Sequence, residues 1–328
     1  MTITKKIGIT ALLMTAMLAV YGCGGEQKAS AGSGKLKIGV VQIVQHGALD
    51  DANRGFVERL KERGYDESKV ELDQQNAQGD QSNLKSIASR FKQEKLDLIC
   101  AIATPAAQAV ANEVQDVPIV GTAITDYVTA RLVKSNEKPG GNVTGVSDLA
   151  EINAQMDLGM ALVPSAKTIG LIYCSSEVNS EVQANMMKSY AEKKGLRVEE
   201  RTVNNVNDIQ QVVESLRGLC DFIYVPTDNT MASAVPTLIK VTNDAGIPVI
   251  AGAESMVKDG CLASLSVDFY KLGRQTGDLA ADILDGKVKP AEAPIQHQKE
   301  YVTVINKKEA EALHISIPDT ISQRASMI

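Results

Sequence analysis

From Lys35 onward the chain alternates short apolar runs with longer stretches in which apolar residues return every three or four positions. Lys37-Ile38-Gly39-Val40-Val41 and Thr168-Ile169-Gly170-Leu171-Ile172 are such runs, and each suits a strand buried on both faces. A helix-period segment follows each one. Leu49, Ala52, Phe56 and Leu60 line one face before Gly64, and Val182, Met186 and Tyr190 line another before Gly195, with glycine where a helix C-cap is expected. The echo continues through two further helices, with Leu84, Ile87, Ala88 and Phe91 against Ile209, Val212, Val213 and Leu216. It then reaches the strands at 97–100 and 221–224, which open on Asp97 and Asp221, and those at 117–121 and 247–251, which carry Pro118 and Pro248. Order, spacing and proline-bearing strands all repeat. The pattern predicts an α/β protein of two Rossmann-like β-α-β-α-β-α-β lobes with parallel sheets.

The repeat also aligns the loops. Thr104 and Pro105 fall opposite Asp228 and Asn229, and the turn at 123–126 falls opposite 253–256. In the second half, apolar runs at 222–225, 248–251 and 262–267 are followed by Asp228 and Asn229, by Glu254 and by Asp268. Ligands of open parallel sheets bind outside the carboxyl ends of the strands, where helix N-termini offer free N–H groups. Two lobes whose strand ends face one another make a clamp that closes by hinge motion.

Ahead of this region, Lys5 and Lys6, the apolar stretch 7–20 and Tyr21-Gly22-Cys23 have the anatomy of an export signal. The reading is a signal over 1–22 and a Gly/Ser/Ala-rich tether over 23–34. Loss of Lys5 and Lys6 with the signal takes the formal net charge from −6 to −8. An acidic balance disfavours nucleic acid, which needs clustered Lys and Arg. Cys100, Cys174, Cys220 and Cys261 have no C-x-x-C spacing and read as free thiols, and His46, His297 and His314 form no ligand pattern. No metal or cofactor is expected.

The end of the signal with Cys23 resembles a bacterial lipobox, a resemblance that implies a lipidated Cys23. The segments Thr104-Pro105-Ala106, Ile124-Thr125-Asp126, Gly145-Val146-Ser147-Asp148, Thr227-Asp228-Asn229 and Asp268 with Leu272-Gly273 resemble those of the substrate-binding lipoproteins of bacterial ABC importers, in the subgroup associated with tryptophan or tyrosine. The resemblance spans nearly the whole mature chain, departing at Tyr127, where related sequences often carry proline. It implies the type I periplasmic-binding-protein fold, with a three-strand hinge and a ligand cleft between the lobes. It also implies a permease as partner and a monomer lipid-anchored to the outer face of the cytoplasmic membrane or in the periplasm. The lobes are expected at 35–145 with 268–294 and at 146–267 with 295–322, and the crossovers near 140–147, 264–268 and 293–298.

A free amino acid needs acceptors for its ammonium and donors for its carboxylate. Asp126, Asp228, Glu254 and Asp268 supply the first; Thr104, Thr125, Ser147, Asn229 and helix N–H groups supply the second. The ammonium is expected at Asp228 or Asp268, and the carboxylate at Thr104 and the backbone around Ala106, beside Pro105. Asp228, Thr104 and Asp268 also read as helix caps. With no Trp in the chain, an aromatic wall would come from Tyr127, Tyr173, Phe269 or Tyr270. His46 and Gln155 are further cleft candidates. A sugar- or nucleoside-binding protein or a sensor of the same fold stays open. An enzyme is disfavoured, because no G-x-S-x-G, H-E-x-x-H or P-loop occurs.

Overall fold

The computed structural model describes residues 34–328, so the signal, Cys23 and nearly all of the tether lie outside the described residues. In chain order the first elements are β1 (Leu36–Gln42), α1 (Gly47–Glu62), β2 (Val70–Asn76), α2 (Gln81–Gln93), β3 (Leu98–Ile102), α3 (Thr104–Glu113), β4 (Ile119–Ile124) and β5 (Val143–Ser147). The repeat follows as α4 (Ile152–Leu162), β6 (Thr168–Cys174), α5 (Val178–Lys194), β7 (Arg197–Val203), α6 (Ile209–Glu214), β8 (Phe222–Val225), α7 (Asn229–Ala232), α8 (Val235–Ala245), β9 (Val249–Ala251), α9 (Glu254–Lys258) and β10 (Ala263–Ser266). The chain ends with α10 (Phe269–Leu284), β11 (Gln296–His297), β12 (Val302–Ile305), α11 (Lys307–Ala312), α12 (Asp319–Ser322) and β13 (Ser326–Met327).

These strands make two sheets, ordered β11-β5-β4-β3-β1-β2 and β13-β12-β10-β9-β8-β6-β7. All pairings are parallel except β10 with β12, where the chain returns from the first sheet and runs back along the second. Every residue of the central strands β3, β4, β5 and β6 is buried, because helices cover both faces. The edge strands β2 and β7 carry Glu71, Asp73, Glu199, Glu200 and Arg201, charges that discourage a stray strand from pairing. The two repeats also share an anchor. Asp97 accepts the backbone N–H of Lys37 at 2.8 Å, and Asp221 accepts those of Lys167 and Thr168 at 2.7 and 2.8 Å, so the same carboxylate ties down the first strand of each sheet.

The chain passes between the sheets three times, at 148–151, 267–268 and 298–301. Two passages lie later than the sequence suggests. β5 stays in the first sheet through Ser147, and Gln296 and His297 pair there with Val146 and Ser147 where the second lobe was expected from 295. At the other end the second sheet runs past 322 to Met327. Helix α10 packs along α1 at a crossing made of small residues: Gly273 meets Ala52, and Gly55 meets Tyr270.

One helix face differs from its reading. Val182 and Met186 were assigned to the core side of α5, yet Met186 is 41 % exposed. The buried face is Asn179, Ser180, Gln183, Ala184, Met187, Tyr190 and Ala191. Its first turns are polar because they bond to Glu177, Thr227 and Asp228 at the cleft end of the lobe, with Gln183 also reaching Thr125, so an apolar-period reading places the stripe one residue off.

Candidate functional site

Residues at or beyond the carboxyl ends of β1, β4 and β5, with Phe269 at the start of α10, meet residues that follow β6, β8 and β9. Between them lies a cavity lined on one side by His46, Ala48, Leu49, Ala123, Thr125, Asp148 and Phe269, and on the other by Asn179, Thr227, Asp228, Asn229, Ala232, Ala253 and Met256. Its atoms leave about 330 Å³ between them, of which about 10 Å³ admits the centre of a water-sized sphere. The lobes therefore stand closed on one another. Hydrogen bonds cross the gap: Thr125 Oγ1 and Thr227 Oγ1 are 3.4 Å apart, Gln183 Nε2 lies 2.5 Å from Thr227 Oγ1 and 3.4 Å from Thr125 Oγ1, and His46 Nε2 lies 3.3 Å from Asn229 Oδ1.

The backbone is bent to present these groups. Ala123 adopts φ 55° where β4 slips register against β5, and Ala103, just before α3, adopts φ 79°. Left-handed angles at alanine cost free energy that surrounding packing must hold in place. Ser147 Oγ donates to Thr125 O at 2.8 Å, pinning the two strand ends together. Helix α1 opens at His46 without a side-chain cap, so the first-turn N–H groups of Gly47, Ala48 and Leu49 carry no acceptor among the described residues.

Three buried carboxylates stand here, and no Lys or Arg lines the cavity. Both oxygens of Asp228 are engaged: Oδ2 accepts Cys174 N and Ser180 Oγ at 2.7 Å, and Oδ1 accepts Met231 N at 2.8 Å. Burial, then the charge of Glu177, raises its carboxyl well above the ordinary range. Glu177 accepts from the backbone N–H groups of Asn229 and Thr230, from Thr230 Oγ1, and from Nδ2 of Asn229 and Asn179. Asp148 differs, since its Oδ1 is buried without a partner and burial pushes its carboxyl up to about 6. His46 Nδ1 and Asn179 Oδ1 are likewise buried and unpaired. Such groups are costly to leave unmet, and their convergence on one cavity marks it as a place for a polar guest.

Of the residues expected at the site, the structure brings His46, Thr125, Asp228 and Asn229 to the cavity wall. Phe269 is the one aromatic candidate that lines it. Asp268 instead caps α10 by accepting Lys271 N at 3.0 Å, and its backbone is held at the crossover by Gln298. Glu254 pairs with Lys258 at 2.6 Å, and Asp126 accepts Thr129 N at 2.7 Å within its own turn. Tyr127 is core, its hydroxyl donating to Val146 O at 3.1 Å, and Gln155 bridges Leu265 O and Tyr224 Oη inside the second lobe. Thr104, Pro105 and Ala106 open α3 and are not among the residues lining this cavity, with Thr104 Oγ1 buried and unpaired. Tyr173 and Tyr270 bond to Glu200 and Glu58, away from the cavity.

A family model described as ABC transporter substrate binding protein matches residues 37–328. The chain belongs to the ABC transporter substrate-binding protein family. A tyrosine-binding protein of Clostridioides difficile strain R20291 is 43% identical over 289 residues, which is 88% of this chain and 84% of that protein. Among solved structures, an ABC domain from Streptococcus pneumoniae in complex with L-Trp is 41% identical, covers 90% of this chain and 99% of its own, and superposes with a TM-score of 0.87. The ligand-free, open structure of a substrate-binding protein with adhesive properties from Clostridium difficile is also 41% identical, with 89% and 99% coverage, but its TM-score is 0.69. This substrate-binding protein thus has the type I periplasmic-binding-protein fold, with its lobes set more like those of the L-Trp complex than those of the open form.

Sequence reasoning missed Glu177, Asn179 and Gln183 in this substrate-binding protein, and it quoted Thr227 and Asp148 only inside motifs. The available signal was Glu177-Val178-Asn179-Ser180-Glu181-Val182-Gln183, where Asn179 and Gln183 stand four apart just after the end of β6. That spacing puts two amides on one helix face pointing at the cleft.

Proposed function

We propose that this substrate-binding protein captures a free aromatic amino acid between its lobes and delivers it to an ABC permease, acting without chemistry of its own. The observation that carries the reading is the set of buried, unpaired polar atoms beside the apolar surface of Phe269, Met256 and Leu49. Asp148 Oδ1 is the anion with a free oxygen, so the ligand ammonium belongs there, where it would lower the raised carboxyl pKa. The ligand carboxylate belongs at the uncapped N-terminus of α1, whose N–H groups and dipole favour negative charge. The aromatic ring then lies against Phe269. This assignment replaces the expectation of Asp228 and Asp268, whose oxygens already serve protein donors.

Binding works as population shift. Only the closed arrangement brings Asp148 and α1 together with the second lobe's wall, so a ligand that touches both favours closure about the three crossovers. Cys23 would carry a lipid that keeps the protein beside its permease on the outer face of the membrane; its replacement by Ser should move the protein from the membrane fraction to the soluble one. The names of the tyrosine-binding relative and of the L-Trp complex support an aromatic ligand. The test is thermal unfolding of residues 35–328 against the twenty amino acids and a panel of sugars and nucleosides, since a ligand bound only by the folded state raises the midpoint. A shift with tyrosine or tryptophan that is lost in Asp148→Ala supports the reading; a shift with a sugar or nucleoside and with no amino acid refutes it.

A further inference from the structure

The hydrogen bonds around Glu177 determine which way three other polar groups face. Its carboxylate only accepts, and Asn229 Nδ2 and Asn179 Nδ2 lie 2.6 and 3.1 Å from Oε2. Turning either amide over would set a carbonyl oxygen against a carboxylate oxygen, so both amides must point nitrogen toward Glu177. Asn179 is held further by Nδ2 donating to Thr227 O at 2.8 Å, which leaves its Oδ1 as the unpaired atom. Asn229 in turn offers Oδ1 to His46 Nε2 at 3.3 Å.

A carbonyl oxygen accepts, so the proton of the His46 ring sits on Nε2. Burial lowers the ring's pKa below its ordinary value, against weaker raising effects of Asn229, Glu177, Asp50 and Asp259, and the ring is neutral at pH 7. A neutral imidazole has one N–H, which leaves Nδ1 a bare lone pair. Although His46 stands at the start of α1, this nitrogen caps no backbone N–H and has no partner. Thus His46 Nδ1, Asn179 Oδ1 and Asp148 Oδ1 are three unpaired acceptors on residues that line one cavity.

We propose that these three acceptors form a cradle for a primary ammonium, and that Glu177 is the positioning residue that makes them all acceptors. The inference rests on the amino-acid reading above and deepens it. A primary ammonium is water-sized and carries three N–H donors, one for each acceptor. A secondary amine lacks one donor, and a des-amino acid lacks all three. A site built to be hydrogen-bonded discriminates strongly against a guest that leaves its buried groups unpaired.

The test measures calorimetric affinities of the purified protein for L-tyrosine, N-methyl-L-tyrosine and 3-(4-hydroxyphenyl)propionate, alongside ¹⁵N spectra of the histidine rings. The chain has three histidines, so His46 is assigned by replacing the other two. The expected result is N-methyl-L-tyrosine at least about tenfold weaker than L-tyrosine, the des-amino acid weaker still, and His46 protonated at Nε2. Glu177→Gln should shrink the tenfold gap and change the His46 ring signal, because the amides are then free to turn. Asn179→Leu, the second variant, should shrink the gap without altering the ring. A wild-type ring protonated at Nδ1, equal binding of the primary and secondary amines, or a gap untouched in both variants overturns the cradle while the amino-acid reading stands. Failure of any amino acid to bind overturns that reading instead.

Discussion

Gly273 is where core packing and ligand binding meet. A Cβ there would stand 1.9 Å from Ala52 O and 2.7 Å from Ala52 C, where real Cβ atoms stay beyond 3.0 Å. The obstacle is backbone, which cannot swing aside as a side-chain tip can. Gly273→Ala therefore forces α1 and α10 apart by about 1 Å, loosening contacts of Phe56, Leu272 and Leu279, all buried between them and the sheet. Overpacking of this kind costs about 1–3 kcal/mol, a fall of roughly 2–5 °C in midpoint for a chain of this size. The consequence reaches the cleft, because α10 begins at Phe269, one turn before Gly273, and Phe269 lines the cavity. Tyrosine or tryptophan affinity should fall in the same variant. Gly195→Ala is the control: its φ is +67°, but nothing lies within 4 Å of an added Cβ. It should cost only backbone strain of about 1 kcal/mol and leave ligand affinity unchanged. Thermal and urea unfolding of both variants decide the matter. If Gly273→Ala is no less stable than Gly195→Ala, the close-crossing argument is wrong.

Asp148 carries a pH dependence of two signs. Its folded pKa is raised to about 6, so its burial penalty is fully present above pH 6 and is relieved as pH falls toward the unfolded value. Stability of the ligand-free protein should gain from this group on acidification while ligand affinity falls by up to about tenfold per pH unit. Both trends should vanish in Asp148→Asn, and their persistence there would assign them elsewhere. Gln183→Leu removes the amide that joins Thr125 and Thr227 across the cleft. It should weaken ligand binding by about 1 kcal/mol and enlarge the ligand-free protein in small-angle scattering; an unchanged scattering curve and affinity would show that this bridge does not hold the lobes. Asp228→Ala orphans three donors and should cost about 3 kcal/mol or more of stability. A variant that folds normally but fails to bind would return Asp228 to the ligand's first contacts.

Much of this architecture was legible because its signals are local. Wholly buried strands such as β3 and β6 read as continuous apolar runs, and α1 and α2 showed their core faces in the spacing of Leu49, Ala52, Phe56 and of Leu84, Ala88, Phe91. Asp97 and Asp221 aligned the repeats correctly because each performs the same anchoring bond. The aligned loops likewise led to Thr125, Asp228 and Asn229 at the cleft. Helix α5 resisted, since its buried polar residues bond to Glu177, Thr227 and Asp228 at the cleft and leave no apolar period to read.

What the sequence by itself determined is therefore the repeat, the two parallel sheets and the family, all written in patterns a few residues long. The tertiary structure alone decided which carboxylate is free. Asp148, Asp228 and Asp268 look equivalent in the chain, each at or near the end of a strand. Asp228 is spent on Cys174, Ser180 and Met231, and Asp268 on a helix cap, while Asp148 keeps an oxygen unpaired. The reason is physical: a buried polar group is available to a ligand only when no other part of the chain has satisfied it, and while the caps of Asp228 and Asp268 are local, two of the three donors on Asp228 come from residues about fifty positions away that only folding brings near.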